Sequence, residues 1–171
     1  MARKKAKKTV SVNSLIFIGI AVVGLVLAIL GLCTAWITNS GMKVAEGLFS
    51  TWFDSRQAEF EALNLEVYSI GLVRAFGIIS LVLVVAVTAL IALKSLGIFE
   101  LKGLIKLIVA VAVIVVAVLT LVFAINYVNS LNEVINKIPV LRLSTPYAMG
   151  VASFLLPIGT AITGVTYLLN K

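Results

Sequence analysis

The chain has 171 residues, of which 61% are hydrophobic and only 12% are charged. A soluble domain of this size has roughly 25% charged residues, so the composition excludes an ordinary soluble fold and predicts a single membrane domain. The net charge of +7 does not indicate nucleic-acid binding, because five of the fourteen basic residues precede the first apolar run rather than forming a basic face on a folded domain.

Residues 1–13 form a basic tail that we expect in the cytoplasm. Its charged side chains would contact anionic lipid headgroups; they are Arg3, Lys4, Lys5, Lys7 and Lys8. The apolar run that follows, 15–37, exceeds the roughly 7–15 apolar residues of a signal peptide. It therefore predicts an uncleaved first membrane helix.

Small residues recur on one side of this first helix. Ala21, Gly24, Ala28 and Gly31 follow the spacing i, i+3, i+7 and i+10, which places them on one face. Small residues let a neighbouring membrane helix approach closely. We expect a matching role in the fourth helix for Gly159, Thr163 and Gly164, and a kink at Pro157.

The remaining apolar runs are 69–93, 104–138 and 147–169, and the positions of the basic residues predict the topology. Nine lysines and arginines lie in the two termini and in or beside the short 94–103 connection, where Lys106 is included, whereas five lie on the opposite side. The positive-inside rule therefore places both termini and 94–103 in the cytoplasm. Segments 38–68 and 139–146 are then extracytoplasmic loops, and the expected localisation is the plasma membrane.

The third helix is too long for the bilayer alone. A helix over 104–138 would measure about 52 Å at 1.5 Å per residue, against a hydrocarbon core of about 30 Å. The excess is predicted to project outward and to end at Pro139. Residues 140–144 alternate as a short strand would, and Pro146 is expected to open the fourth helix at Tyr147.

The first extracytoplasmic loop carries most of the polar information in the chain. Its 63–67 segment alternates strictly, which predicts a strand, and 54–63 is either a short helix capped by Asp54 or a loop. Its acidic residues are Glu46, Asp54, Glu59, Glu61 and Glu66. The resulting negative charge indicates either affinity for a cation or basic partner or simple solubility.

Aromatic and apolar residues cluster in the same loop. They are either a surface for a partner protein or the loop's own small core; the set is Trp36, Gly47, Leu48, Phe49, Trp52 and Phe53.

No residue pattern in the chain indicates catalysis. The chain contains no histidine, and its single cysteine, Cys33, is interpreted as a packing residue within the first helix. No charged residue lies deep within the four runs, which argues against ion-coupled transport. We therefore expect no enzyme activity, catalytic residues, cofactor, metal or small-molecule substrate.

The layout resembles the claudin and peripheral-myelin-protein group of four-helix membrane proteins. The resemblance rests on Trp36 after the first helix, on Gly47-Leu48-Phe49, and on Arg74-Ala75 opening the second helix. It implies a small extracellular sheet and a role for Arg74 in clamping the loop through Glu61 or Glu66; the alternative is that Arg74 extends to lipid headgroups. Phe49 replaces the group's second tryptophan, and the loop's two cysteines are missing.

The predicted fold is therefore an all-α membrane protein with four transmembrane helices, an extended third helix and a small β-containing first loop. The expected function is structural: the loops contact another membrane or envelope protein, or a second copy of the chain, and so mediate adhesion or membrane organisation. The alternative is an accessory subunit or small pore in a transport complex, because the fourth helix carries serine and threonine residues.

Overall fold

A computed structural model of the protein describes residues 11–138 and 146–170. Four of the described helices are long and apolar enough to cross a membrane, so the predicted four-helix architecture is confirmed. In chain order the elements are α1 (Val12–Cys33), β1 (Ala35–Asn39), β2 (Val44–Gly47), α2 (Thr51–Ala62), α3 (Ile70–Ser95), α4 (Gly103–Lys137), β3 (Ala148–Met149) and α5 (Ala152–Leu169). The spanning helices are α1, α3, α4 and α5.

The small residues of α1 form its contact with α5. Ala21, Gly24, Ala28 and Gly31 are the buried residues of α1. A Cβ on Gly24 would overlap Thr163 and the carbonyl of Gly159, both in α5. The two backbones therefore run side by side with almost no side-chain volume between them, which maximises van der Waals contact within an apolar environment.

The other helices pack around this pair. In α5, Gly164 lies against Val113 and Ile114 of α4, where an added Cβ would be 3.0–3.1 Å from their side chains. Ser80 of α3 and Thr120 of α4 share a buried hydrogen bond of 2.9 Å. The outward faces of the helices expose valine, leucine and isoleucine, as expected of helices surrounded by lipid.

The first helix ends earlier than predicted. Thr34 ends it, with its backbone N–H and its hydroxyl both donating to the carbonyl of Leu30. Ala35–Asn39, which includes the end of the predicted 15–37 run, is strand β1. Cys33 is exposed on the outside of the helix, so its interpretation as a packed residue is wrong.

The first loop differs from prediction in the cap of its helix and in its second strand. Residues 51–62 are helical, which is one of the two alternatives for 54–63, but the N-terminal cap is Ser50, whose side chain accepts from the N–H of Trp52, rather than Asp54. Residues 63–67 are not a strand. Their alternation reflects burial, because Leu65 and Val67 pack on the core while Asn64 and Glu66 are exposed.

The fourth helix begins at Ala152 rather than Tyr147, because Ala148–Met149 pairs with β1 as strand β3. Pro157 lies inside α5. The extended α4 runs to Lys137, whereas the predicted 140–144 strand falls in 139–145, outside the described residues.

Candidate functional site: the cap

One end of the bundle carries the sheet and α2, and we call this assembly the cap. Its sheet has the order β2-β1-β3, with both pairs antiparallel. Strand β3 lies far from β1 in the sequence, directly before α5. Next to it, the N–H of Gly150 donates to the carbonyl of Trp36 at 2.7 Å. A Cβ on Gly150 would overlap the carbonyl of Ala35, so glycine permits this close approach.

Three residues of the predicted aromatic cluster form the core of the cap. Trp36, Leu48 and Phe53 are buried, and the ring of Phe53 lies 5.7 Å from that of Tyr127 in α4. The indole N–H of Trp36 donates to the carbonyl of Gly31 at 2.6 Å, which satisfies an acceptor at the end of α1. These three residues therefore pack the cap against the helices.

The end of α4 next to the cap contacts the backbone of two other segments, at Tyr68 and at Tyr147. The side-chain amide of Asn132 donates to the carbonyl of Tyr147 at 2.9 Å and accepts from its N–H at 2.8 Å. Half a turn earlier, the hydroxyl of Ser130 accepts from the N–H of Tyr68 at 3.0 Å. The side chains of Asn132 and Ser130 thus satisfy backbone groups of Tyr147 and Tyr68 that are not paired with a strand.

Arg74 joins the cap to α3. Its guanidinium donates to the carbonyls of Leu48 and Ser50, each at 2.9 Å, and to both carboxylate oxygens of Asp54, at 2.6 and 3.1 Å. The predicted acidic partners, Glu61 and Glu66, are thus corrected to Asp54. The reason is geometric: Asp54 lies in the first turn of α2, beside the Ser50 carbonyl that the same guanidinium reaches, whereas Glu61 accepts from Gln57.

Acid should weaken this junction. The hydrogen bond from Arg74 holds the pKa of Asp54 below its ordinary value. The stabilisation is therefore complete at pH values above the unfolded pKa of about 3.9 and is lost as the pH falls through the lower folded pKa. We expect hydrogen exchange in 48–60 to be constant from pH 7 to 5, after intrinsic rates are corrected, and to accelerate below about pH 4.

Asp54→Asn is the matched control, because its amide does not titrate. Exchange in this variant should be faster than in the wild type at pH 7 and should lack the acid step. An identical acid step in both proteins would contradict the assignment to Asp54.

A second group of side chains forms an outward surface of the cap, which we call the Trp52 surface. Its members are Met42, Trp52 and Arg56, with Tyr147 beneath them. The Tyr147 hydroxyl lies 3.8 Å from the Met42 sulfur, the Trp52 and Tyr147 rings are 5.5 Å apart, and the Arg56 guanidinium carbon lies 5.7 Å from the Trp52 ring centre. Met42 is 47% exposed and Trp52 is half-buried.

The other predicted loop residues are dispersed. Phe49 is 52% exposed, and Gly47 lies in β2, where an added Cβ would make only an ordinary contact. Ser50, Ser130, Asn132 and Tyr147 were not predicted as positioning residues, and Asp54 was predicted as a helix cap rather than as the partner of Arg74. Only Ser50 carried a sequence signal, as a serine directly before a helix with an acidic first turn. The basic tail with Arg3, Lys4, Lys5, Lys7 and Lys8 lies outside the described residues.

No family model, curated protein or solved structure matches this chain. The similarity to claudins remains a prediction based on the residues given above.

Proposed function

We propose that the protein is a claudin-like structural membrane protein whose cap lies outside the cytoplasm and binds another protein, either a different membrane or envelope protein or a second copy of this chain. The observation that carries the proposal is the Trp52 surface. Tryptophan, tyrosine, methionine and arginine are the residue types enriched in protein interfaces, and a few such residues usually supply most of the binding energy.

The frame behind this surface supports the proposal. Trp52 is held between Phe53 and Tyr147, with ring-centre distances of 5.2 and 5.5 Å. Tyr147 is in turn fixed by Asn132. A surface whose side chains are already ordered loses little conformational entropy on binding, and this favours affinity.

The charge of the cap favours a partner with basic groups. Glu59 and Glu61 lie on the exposed side of α2, and Glu66 is exposed just beyond it. Complementary charge accelerates association and selects among partners more than it raises affinity. The acidic side chains would thus orient a basic partner while the Trp52 surface supplies the contact.

The pore alternative has less support, because the hydroxyl groups of α5 are already used for packing. Thr160, Thr163 and Thr166 donate to the carbonyls of residues one turn earlier, at 2.6–2.9 Å, and are buried among the helices. Such hydroxyls provide small, internally satisfied packing surfaces.

Crosslinking mass spectrometry on native membranes tests the proposal. Lys43 is adjacent to Met42 and provides the reactive amine. We expect intermolecular crosslinks from Lys43 to one partner, and expect the double variant Met42→Ala/Arg56→Ala to reduce them at least about tenfold, since two interface residues at about 1 kcal/mol or more each together exceed the roughly 1.4 kcal/mol of a tenfold change.

Leu63→Ala is the matched control. Leu63 is an exposed apolar residue of the cap at the opposite end of α2, and its removal should leave the crosslinks unchanged. Equal loss in both variants, or intrachain links alone in the wild type, would refute the Trp52 surface as a contact. Crosslinks to a transporter through the lysines of the opposite end would favour the accessory-subunit alternative.

A further inference from the structure

At the end of the bundle opposite the cap, the connection between α3 and α4 exposes a group of large apolar side chains. We call this group the connection patch; its members are Leu96, Ile98 and Phe99 in the connection and Leu104 and Ile105 at the start of α4. Their exposed fractions range from 48% to 70%. A contiguous group of large apolar side chains on a protein surface usually marks a contact with a membrane or with another protein.

The turn that follows α3 directs Ile98 away from the protein. Gly97 has a φ of 68°; its N–H donates to the carbonyl of Lys94 at 2.8 Å, and the N–H of Ile98 donates to the carbonyl of Leu93 at 3.0 Å. These two hydrogen bonds form a Schellman motif, in which the residue at the position of Ile98 frequently packs back on the helix. Ile98 is instead 69% exposed. A folded turn therefore holds this side chain outward.

The charged side chains of the same segment are held elsewhere. Lys94 lies 2.8 Å from Glu100, its side chain is only 15% exposed, and it donates to the carbonyl of Asn170 at 2.7 Å. The side chain of Lys102 is 80% exposed and lies 3.8 Å from Glu100. The Lys94–Glu100 pair thus lies against the end of α5, while the apolar side chains of the connection remain uncovered.

The connection patch is continuous with an exposed apolar face of α4. The residues of this face are 46–70% exposed and follow the helical spacing i, i+4, i+7, i+11 and i+14; they are Leu104, Ile108, Val111, Val115 and Val118. Because α4 is long and apolar enough to cross a membrane, this face contacts lipid in a bilayer. The continuity therefore favours lipid, rather than a protein, as the occupant of the connection patch.

We propose that the connection patch inserts into the adjacent leaflet, at the boundary between headgroups and acyl chains, and thereby fixes the depth of α4 in the membrane. Apolar side chains of interfacial segments lie about 5–10 Å into this boundary. Lys102 extends from the same segment to the headgroups, as long basic side chains do at membrane surfaces. The occupant is thus the lipid surface itself.

This insertion determines how far α4 projects at the other end. Ser130 and Asn132, which support the cap, lie about 39 and 42 Å along the helix from Leu104 at 1.5 Å per residue. The hydrocarbon core is about 30 Å thick. With Leu104 held at one boundary, both residues lie beyond the opposite boundary, and the connection patch sets the height of the cap above the membrane.

Spin labelling of the full chain in nanodiscs tests the insertion. Because Cys33 is the single cysteine, a Cys33→Ser background accepts one nitroxide at a time, at Ile98→Cys or Leu104→Cys. Lys102→Cys is the matched control, since it carries the same label in the same segment. Oxygen partitions into bilayers, whereas a nickel chelate stays in water. We expect the ratio of oxygen to nickel collisions to be several-fold higher at positions 98 and 104 than at 102.

Two results would overturn the insertion. Nickel collisions at positions 98 and 104 as frequent as those at 102 would show that the connection patch lies in water. Few collisions with either reagent would show that protein, such as a second copy of the chain, covers the patch in place of lipid.

A label outside the connection patch tests whether the patch fixes the depth of α4. Val122 is 40% exposed and lies about 27 Å along the helix from Leu104 at 1.5 Å per residue. With the label at Val122→Cys, the double variant Ile98→Gln/Leu104→Gln should lower the ratio of oxygen to nickel collisions, because α4 shifts toward the cap side. Met42→Gln/Leu63→Gln makes a similar change at exposed positions of the cap and should leave the ratio unchanged. An equal ratio in the first variant and the parent chain would refute the depth-fixing role.

Discussion

Replacing Gly31 by leucine is expected to separate α1 from α5 and to cause a large loss of stability. A Cβ at this position would lie 2.5 Å from the backbone nitrogen of Leu156 and 2.8 Å from its Cα. Backbone atoms cannot move aside as a side chain can. Overpacking typically costs about 1–3 kcal/mol. Because backbone atoms obstruct this position we expect the upper end, about 3 kcal/mol, which corresponds to a fall in melting temperature of roughly 6–12 °C for a chain of this length.

The matched control is Gly19→Leu, three turns away on the same helix. An added Cβ there meets no described atom within 4 Å, so the leucine would face outward and should change the melting temperature by less than about 2 °C. Both variants can be measured as fusions to a fluorescent protein, by heating followed by size-exclusion chromatography. Equal melting temperatures for Gly31→Leu and the wild type would show that α1 and α5 do not pack against each other at Gly31.

The helices were predictable because their signal is local. Each spanning helix is a long apolar run, and the stripe from Ala21 to Gly31 has a helical period that a single segment displays by itself. The stripe and its counterparts Gly159 and Thr163 come together in the structure as neighbours. The sequence of one helix does not indicate which helix packs against it, since that depends on the packing of all four.

The cap was less predictable because its contacts are not local. The pairing of β1 with β3 joins residues more than a hundred positions apart, and nothing in Ala35–Asn39 distinguishes a strand from the end of a helix with the same apolar residues. The 63–67 segment shows the converse error: Leu65 and Val67 alternate with polar residues, but their backbone pairs with no described strand, and the pattern records burial alone.

The residues that position the cap could not be predicted from the sequence for a related reason. Ser130 and Asn132 are ordinary polar residues on an extended helix until the segments at Tyr68 and Tyr147 are placed against them. Similarly, several acidic residues of the first loop could have paired with Arg74, and only the fold of α2 selects Asp54. Side chains that satisfy the backbone of a distant segment have no sequence signature of their own.

Arg74→Ala is expected to detach the cap from α3 while leaving the four helices assembled. The substitution removes four hydrogen bonds and leaves the carbonyls of Leu48 and Ser50 without these donors. Loss of the two charged hydrogen bonds to the partly buried carbonyls of Leu48 and Ser50 costs about 2–4 kcal/mol. Because the contact between α1 and α5 is unchanged, this cost should appear as local opening of the cap, with hydrogen exchange in 48–60 faster by roughly 30- to 1000-fold.

Two further variants separate geometry from charge. Arg74→Lys keeps the positive charge at the start of α3 but cannot reach three acceptor groups with one ammonium, so exchange in 48–60 should be intermediate. Arg56→Ala removes a partly exposed arginine of the same cap. Its ion pair with Glu59 joins positions i and i+3 of α2 and is worth only about 0.2–0.5 kcal/mol, so hydrogen exchange in 48–60 of this variant should match the wild type. If Arg74→Lys exchanged as slowly as the wild type, a simple charge interaction would be sufficient, and the fork of hydrogen bonds would not be what holds the cap in place.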